Sequence, residues 1–281
     1  MAKRRYIQLL SALLYNANLP GFFRGAIYKG NIKGVCVPGL NCYSCPGAIA
    51  SCPLGNLQAS LGEIRYKLPF YAVGTLLLFG ILLGRGICAF LCPFGLIQEL
   101  LNKIPTPKLA KSRWTRLASL TKYVVLALFV LFLPLFFLTK NGSSVPAFCK
   151  YLCPAGTLEG GLPLIAANEN LQKILGALFG FKAAVLAIVV LASVFIHRAF
   201  CRFLCPLGAI YSLFNKVALF GIEVDEQKCV NCGICTDSCK LDTRKVNDHE
   251  CIRCGDCRFV CGHNAISFSK KKRKSHAEQT N

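Results

Sequence analysis

The chain has 281 residues, 54% hydrophobic and only 16% charged, a balance too apolar for an ordinary soluble domain and one that favours an integral membrane protein. Lys and Arg outnumber Asp and Glu by 33 to 13, a formal charge of +20. No nucleic-acid reading module accompanies that charge, so nucleic acid is not an expected partner; membrane lipid with anionic headgroups and acidic redox proteins are.

In chain order, apolar windows predict about four transmembrane helices, near residues 6–23, 68–86, 122–139 and 176–198. Asn16, Asn18 and Pro20 interrupt the first, and Lys182 enters the fourth unless it snorkels to an interface. Lys3-Arg4-Arg5 before an apolar stretch also fits a cleaved secretory signal, but no small-x-small cleavage site follows it. Four spans bring both termini to one side. The Lys3–Arg5 cluster, the Lys103–Lys122 loop with six Lys/Arg and the basic C-terminal part assign that side to the cytoplasm. The expected setting is therefore a multi-pass protein of the cytoplasmic (inner) membrane. Residues 1–220 form its transmembrane domain with interfacial helices, 221–269 a small cytoplasmic α+β domain, and 270–281 a basic tail.

The chain contains eighteen cysteines. Arg85-Gly-Ile-Cys88-Ala-Phe-Leu-Cys92-Pro-Phe-Gly95 recurs as Arg198-Ala-Phe-Cys201-Arg-Phe-Leu-Cys205-Pro-Leu-Gly208, and the match continues through Ile97/Ile210 and Asn102/Asn215. Each copy follows an expected span running the same way, so Cys88, Cys92, Cys201 and Cys205 make four ligands on one membrane face. Spacing of i and i+4 puts two thiols on one helix face, and the proline favours a new helix start there. The positive end of that helix favours an anionic cluster.

A third copy, Cys149-Lys-Tyr-Leu-Cys153-Pro-Ala-Gly156, falls on the opposite face and has Pro146 where the arginine would stand. On that face too lie Cys36, Cys42, Cys45 and Cys52, with Cys52-Pro-Leu-Gly55 echoing the second half of the repeat and Ala48 in the position of its first cysteine. Six outer thiols supply one four-cysteine site with two left over. One arrangement joins Cys149 and Cys153 to Cys52 and either Cys45 or Cys42; another uses Cys36, Cys42, Cys45 and Cys52 alone. The spare pair would form a disulfide in an oxidising compartment or serve a further centre.

From Glu223 the sequence turns polar and glycine-rich. Cys229, Cys232, Cys235 and Cys239, then Cys251, Cys254, Cys257 and Cys261, form two successive C-x2-C-x2-C-x3-C runs, the spacing that holds a pair of [4Fe–4S] clusters. Because the fourth cysteine of each run serves the other cluster, one centre takes Cys229, Cys232, Cys235 and Cys261 and the other Cys251, Cys254, Cys257 and Cys239. Lys240 and Gly262 replace the proline common after the fourth cysteine. Zinc is the rival for any C-x2-C pair, but the doubled x2-x2-x3 spacing favours clusters. His197 ends the fourth expected span without a C-x-x-C-H haem motif and reads as an interfacial residue. No P-loop, dinucleotide fingerprint, Ser-His-Asp order or paired carboxylate is present, and no catalytic residue is expected. Four oxidised clusters at about −2 each would bring the charge to roughly +12.

With its duplicated C-x3-C-P-x-G motif and a two-cluster segment at the C-terminus, the chain from Leu68 to Phe268 resembles membrane-bound polyferredoxins of the NapH and NosR type. That resemblance implies electron transfer between a quinol or cytoplasmic donor and an acceptor across the membrane. It also implies [4Fe–4S] clusters, two in the ferredoxin-like domain and two in the membrane domain, with a quinone as a further cofactor. The protein partners it implies are a ferredoxin or other acidic donor and a reductase, cytochrome or flavoprotein. Two alternatives stand beside a relay, namely a quinol dehydrogenase subunit feeding a reductase and a redox-sensing or metal-centre assembly factor.

Overall fold

Helices make up most of the computed structural model, which describes residues 2–61, 70–109, 111–137 and 145–270. The expected basic tail beyond Lys270 lies outside the described residues, as do 68–69 and 138–139 of the second and third expected spans.

Two helices, Arg113–Phe136 and Ala177–Phe195, have the length and apolarity to cross a membrane. Leu128, Leu131, Phe132, Ile188 and Leu191 stand exposed along them, as lipid-facing side chains would. The other two expected spans are shorter as helices. Phe70–Leu83 has 14 residues, which cover roughly 21 Å against a hydrocarbon core of about 30 Å. The N-terminal helix runs Ala2–Tyr15, the chain leaves helix at Asn16–Leu19, and a short helix resumes at Pro20–Arg24. The cause is local. The Asn18 side chain donates to the Pro46 carbonyl at 2.8 Å, and Pro20 has no amide to continue the ladder.

Each copy of the cysteine repeat is a pair of helices broken at the Cys-Pro bond, Gly86–Phe90 with Pro93–Leu101 and Ala199–Phe203 with Pro206–Phe214. The prolines open the second helix of each pair, where a missing amide costs nothing. The third copy is two π-helical turns, Phe148–Leu152 and Gly156–Gly161.

The two repeat arginines cross-link the copies. Arg198 donates to the Cys88 carbonyl of the first copy at 2.5 Å, and Arg85 donates to the Cys201 carbonyl of the second at 3.4 Å. Each guanidinium is fully buried and finds a carboxylate: Glu99 for Arg198 at 2.7 Å, Glu250 for Arg85 at 2.8 Å. Arg4 joins Glu99 at 2.8 Å, and Lys122 joins Glu250. Arg198 takes a left-handed backbone, φ 53°, which costs a non-glycine residue about 1–3 kcal/mol and is held by these bonds.

The C-terminal part is framed by β1 (Phe220–Val224) and β2 (Ile266–Lys270), antiparallel with Phe220 opposite Lys270 and Val224 opposite Ile266. It docks on the second repeat. Asn215 donates to the carbonyls of Cys251 and Asp248 at 2.7 and 2.9 Å, and Arg253 to those of Leu83, Phe220 and Asn215. Leu241 and Ile252 thereby enter the same apolar core as Phe94 and Phe200.

Burial alone would raise the Glu99 carboxyl, yet Arg198 and Arg4 outweigh it and hold it below its ordinary value. Its stabilisation is therefore full above the unfolded carboxyl's pKa of about 4.3 and fades as pH falls through the lower folded value. Glu99→Gln strands two buried guanidiniums and is expected to cost about 3 kcal/mol at pH 7. Thermal unfolding in detergent checks this: the melting temperature drops at pH 7, and the gap to the unaltered protein closes in acid.

Candidate metal centres

At each Cys-Pro-x-Gly turn, the glycine amide turns back onto the cysteine sulfur that precedes it. Gly208 donates to Cys205 at 3.3 Å and Gly156 to Cys153 at 3.4 Å; Gly95 and Gly55 donate likewise to Cys92 and Cys52. The sulfur thus occupies the N-terminal end of the following helix, where free amides and the helix dipole favour a thiolate. The first turn also explains its glycine. A Cβ on Gly95 would meet the Cys88 carbonyl at 3.0 Å, and one on Gly208 would meet Cys201's at 3.3 Å.

The thiols sort into sets of four. Cys88, Cys92, Cys201 and Cys205 are all buried and within electrostatic reach of one another. Cys42, Cys52, Cys149 and Cys153 form a second set lining one cavity of about 500 Å³. Cys239, Cys251, Cys254 and Cys257 line a cavity of about 160 Å³ and Cys229, Cys232 and Cys261 one of about 690 Å³, with Cys235 on the wall of both. Cys36 and Cys45 are within electrostatic reach of Cys52 and Cys42 but do not line the cavity of the second set: Cys36 accepts from the Asn56 side chain at 2.9 Å, and the Cys45 thiol donates to the Asn16 side-chain oxygen at 3.5 Å. In the second set, therefore, Cys42 from the loop stands where Ala48 leaves the repeat without a cysteine.

The two ferredoxin-like loops repeat one backbone pattern. Asn231 and Gly233 after Cys229 have φ of 54° and 78°, and Arg253 and Gly255 after Cys251 have 56° and 81°. Left-handed residues at matching positions curl each loop so that successive amides face inward, a concavity suited to an anion. Two such loops answer the two sequence runs.

Burial pushes three thiols of the second set up, Cys52 to about 11 and Cys42 and Cys149 to about 12. Left without metal they are neutral at pH 7, so metal binding must supply the energy of deprotonation. Glu159, whose carboxylate accepts the Cys42 amide at 2.9 Å, is itself raised by burial to about 7. His197 lies 3.4 Å from the Asn102 side-chain oxygen, and burial pushes it down to about 3. Among the described residues, no three His, Cys, Asp or Glu side chains converge as they would around a single ion. Four sulfurs spread around a space, with amides donating to them, is the donor set that a cubane cluster requires.

Several groups at these sites escaped the reading of the sequence. The amides of the adjacent residues Leu40 and Asn41 donate to Cys92 and Cys52, one in each membrane-domain set. Phe148 and Phe200, each preceding a first cysteine, stack at 6.5 Å between ring centres. Six residues after the second cysteine of the four motifs stand Gln58, Gln98, Glu159 and Tyr211. Extending the repeat alignment by three positions past the glycine exposes that last signal; the first two need the fold.

A 4Fe-4S binding domain family matches residues 68–112, 121–162 and 175–223, and each segment holds one C-x3-C-P motif. The third motif, at Cys149 and Cys153, is thus a copy of the same domain despite its missing arginine. Together with the thiol sets, this defines an iron–sulfur electron-transport protein. The chain is related to ferredoxin-type proteins of the NosR kind: it is 28% identical over 57% of its length to the regulatory protein NosR of Stutzerimonas stutzeri, covering 21% of that protein. It is 26% identical to the putative electron transport protein YccM of Escherichia coli over 66% of this chain and 51% of YccM. An uncharacterised protein of Methanocaldococcus jannaschii is 29% identical over 76% of this chain and 82% of its own length. No solved structure matches.

Glu250 couples the C-terminal part to the membrane domain, since Arg85 and Lys122 both reach it. Glu250→Gln leaves two cations short of a counter-charge at that junction. Limited proteolysis is expected to release a fragment near Leu219 faster than from the unaltered protein, by roughly the factor of ten that 1.4 kcal/mol represents.

Proposed function

We propose that this chain is a membrane-embedded electron relay carrying four [4Fe–4S] clusters in series. Their ligands would be Cys42, Cys52, Cys149 and Cys153; then Cys88, Cys92, Cys201 and Cys205; then Cys239, Cys251, Cys254 and Cys257; and finally Cys229, Cys232, Cys235 and Cys261. The observation that carries the reading is the gathering of sixteen of the eighteen cysteines around four places, with Cys235, which borders both C-terminal cavities, assigned by the spacing of its run. When bound, such clusters supply one-electron carriers.

The chain's own residues support that order. Leu40 and Asn41, donating to Cys92 and Cys52, and the stacked pair Phe148/Phe200 lie between the first two sets. Arg85, bonded to the carbonyls of Cys201 and His249, spans from the second set to the third. Cys235 and Cys257 are within electrostatic reach of each other between the third and fourth. The fourth opens to the surface at Cys232, with Arg244 and Lys245 exposed along its cavity opposite the lone carboxylate of Glu226, a balance that suits an acidic protein donor. Exposed apolar residues along Ala2–Tyr15 and Phe70–Leu83, such as Leu10, Leu14, Leu78 and Ile81, support four membrane passages rather than two. The basic segments put the ferredoxin-like end in the cytoplasm.

Anaerobic purification followed by iron and sulfide analysis tests the reading. About sixteen irons per chain are expected; about eight would confine clusters to the C-terminal part and overturn the relay. Cys42→Ser is expected to remove or convert one cluster, while Cys36→Ser and Cys45→Ser leave iron content and reduced-state EPR spectra unchanged.

A further inference from the structure

Both glutamines six residues beyond a Cys-Pro cysteine are fully buried and make the same three bonds. Gln98 Nε2 lies 3.0 Å from Cys201 Sγ and 3.3 Å from the Phe94 carbonyl, and its Oε1 accepts the Phe200 amide at 3.0 Å. Gln58 Nε2 lies 3.3 Å from Cys149 Sγ and 3.2 Å from the Leu54 carbonyl, and its Oε1 accepts the Phe148 amide at 3.0 Å. A backbone amide can only donate, so the atom facing each phenylalanine must be the oxygen, and the NH2 must face the sulfur. The side chain reaches from one half of a thiol set to the first cysteine of the other half. Neither site receives a second glutamine, because the corresponding positions of the later motifs are Glu159, which takes the Cys42 amide, and Tyr211, which donates to the Pro38 carbonyl.

We propose that Gln58 and Gln98 are a matched pair of potential-setting residues, each giving its side-chain N–H to one ligand sulfur of one membrane-domain cluster. The inference rests on the reading of these two thiol sets as cluster sites. A reduced cluster carries one more negative charge than an oxidised one, and an N–H donor at its sulfur stabilises that charge more, so the donor raises the potential. At a fully buried site no water replaces the lost donor. Two centres with the same amide donor at the same ligand position receive the same upward contribution to their potentials, whatever the charges around each add to it.

The test is a potentiometric titration, followed by EPR, of the full-length cluster-loaded protein. Gln98→Met and Gln58→Met preserve side-chain volume and remove the donor. Each is expected to move one reduction step to lower potential, a different step in each variant, with iron and sulfide content unchanged; the double variant moves both, and the two ferredoxin-like steps stay in place. A merely structural role would lower iron content or move nothing. A second measurement needs no substitution. In protein made with glutamine labelled with 15N at its side-chain nitrogen, ENDOR is expected to find a nitrogen coupling in two of the four reduced clusters. Met variants that keep their iron with every step unmoved, or no labelled-nitrogen coupling at any cluster, overturn the proposal. An unaltered protein holding only about eight irons overturns the cluster reading itself, and is told apart from those outcomes before any titration.

Discussion

The Cys-Pro-x-Gly turn is the constraint on which the membrane half depends. Proline ends one helix and begins the next without an amide to satisfy, and at Gly95 and Gly208 the missing side chain lets the new helix come close to the preceding turn. The first free amides of that helix then converge on the cysteine sulfur. One short motif thereby solves two problems, placing a thiolate where the backbone stabilises it and turning the chain at the edge of the apolar layer. Four repetitions of the turn, at Cys52, Cys92, Cys153 and Cys205, generate both membrane-domain thiol sets.

Each set is assembled from two turns far apart in the chain, so something must hold the halves together. In the set of Cys88 and Cys201 that role falls to Arg85 and Arg198, which reach across to the carbonyl of each other's first cysteine. Buried guanidiniums are tolerable only with counter-charges, and Glu99 and Glu250 provide them. The set of Cys42 and Cys149 lacks this brace, with Pro146 in place of one arginine. A carboxylate at Glu159 closes it instead by taking the Cys42 amide, so the two sets share a plan but not a charge balance.

The same logic joins the ferredoxin-like part to the rest. Glu250 precedes Cys251 in sequence and pairs with Arg85, three residues before Cys88. The ion pair thus joins the stretches of chain that carry two thiol sets, and Arg253 and Asn215 reinforce it through backbone carbonyls.

The sequence by itself determined a helical, apolar chain with a cysteine-rich tail of ferredoxin-like spacing. Period and spacing carry that information locally: C-x2-C-x2-C-x3-C dictates its loops, and a repeated Arg-x2-Cys-x3-Cys-Pro dictates its elbows. It also located the interruption at Asn16, Asn18 and Pro20, although the break leaves a helix of 14 residues where one long span was expected. Spacing could not choose among six outer cysteines, because Cys42 stands ten residues from Cys52 and ligand pairing across a loop depends on where the loop folds. Tertiary structure brought Cys42 to one cavity with Cys149 and Cys153, while Cys36 and Cys45, though near Cys52 and Cys42, hydrogen-bond to the Asn56 and Asn16 side chains. It alone brought Gln58 to Cys149 and Gln98 to Cys201, since the bonds join residues 91 and 103 positions apart and no local pattern encodes such a contact.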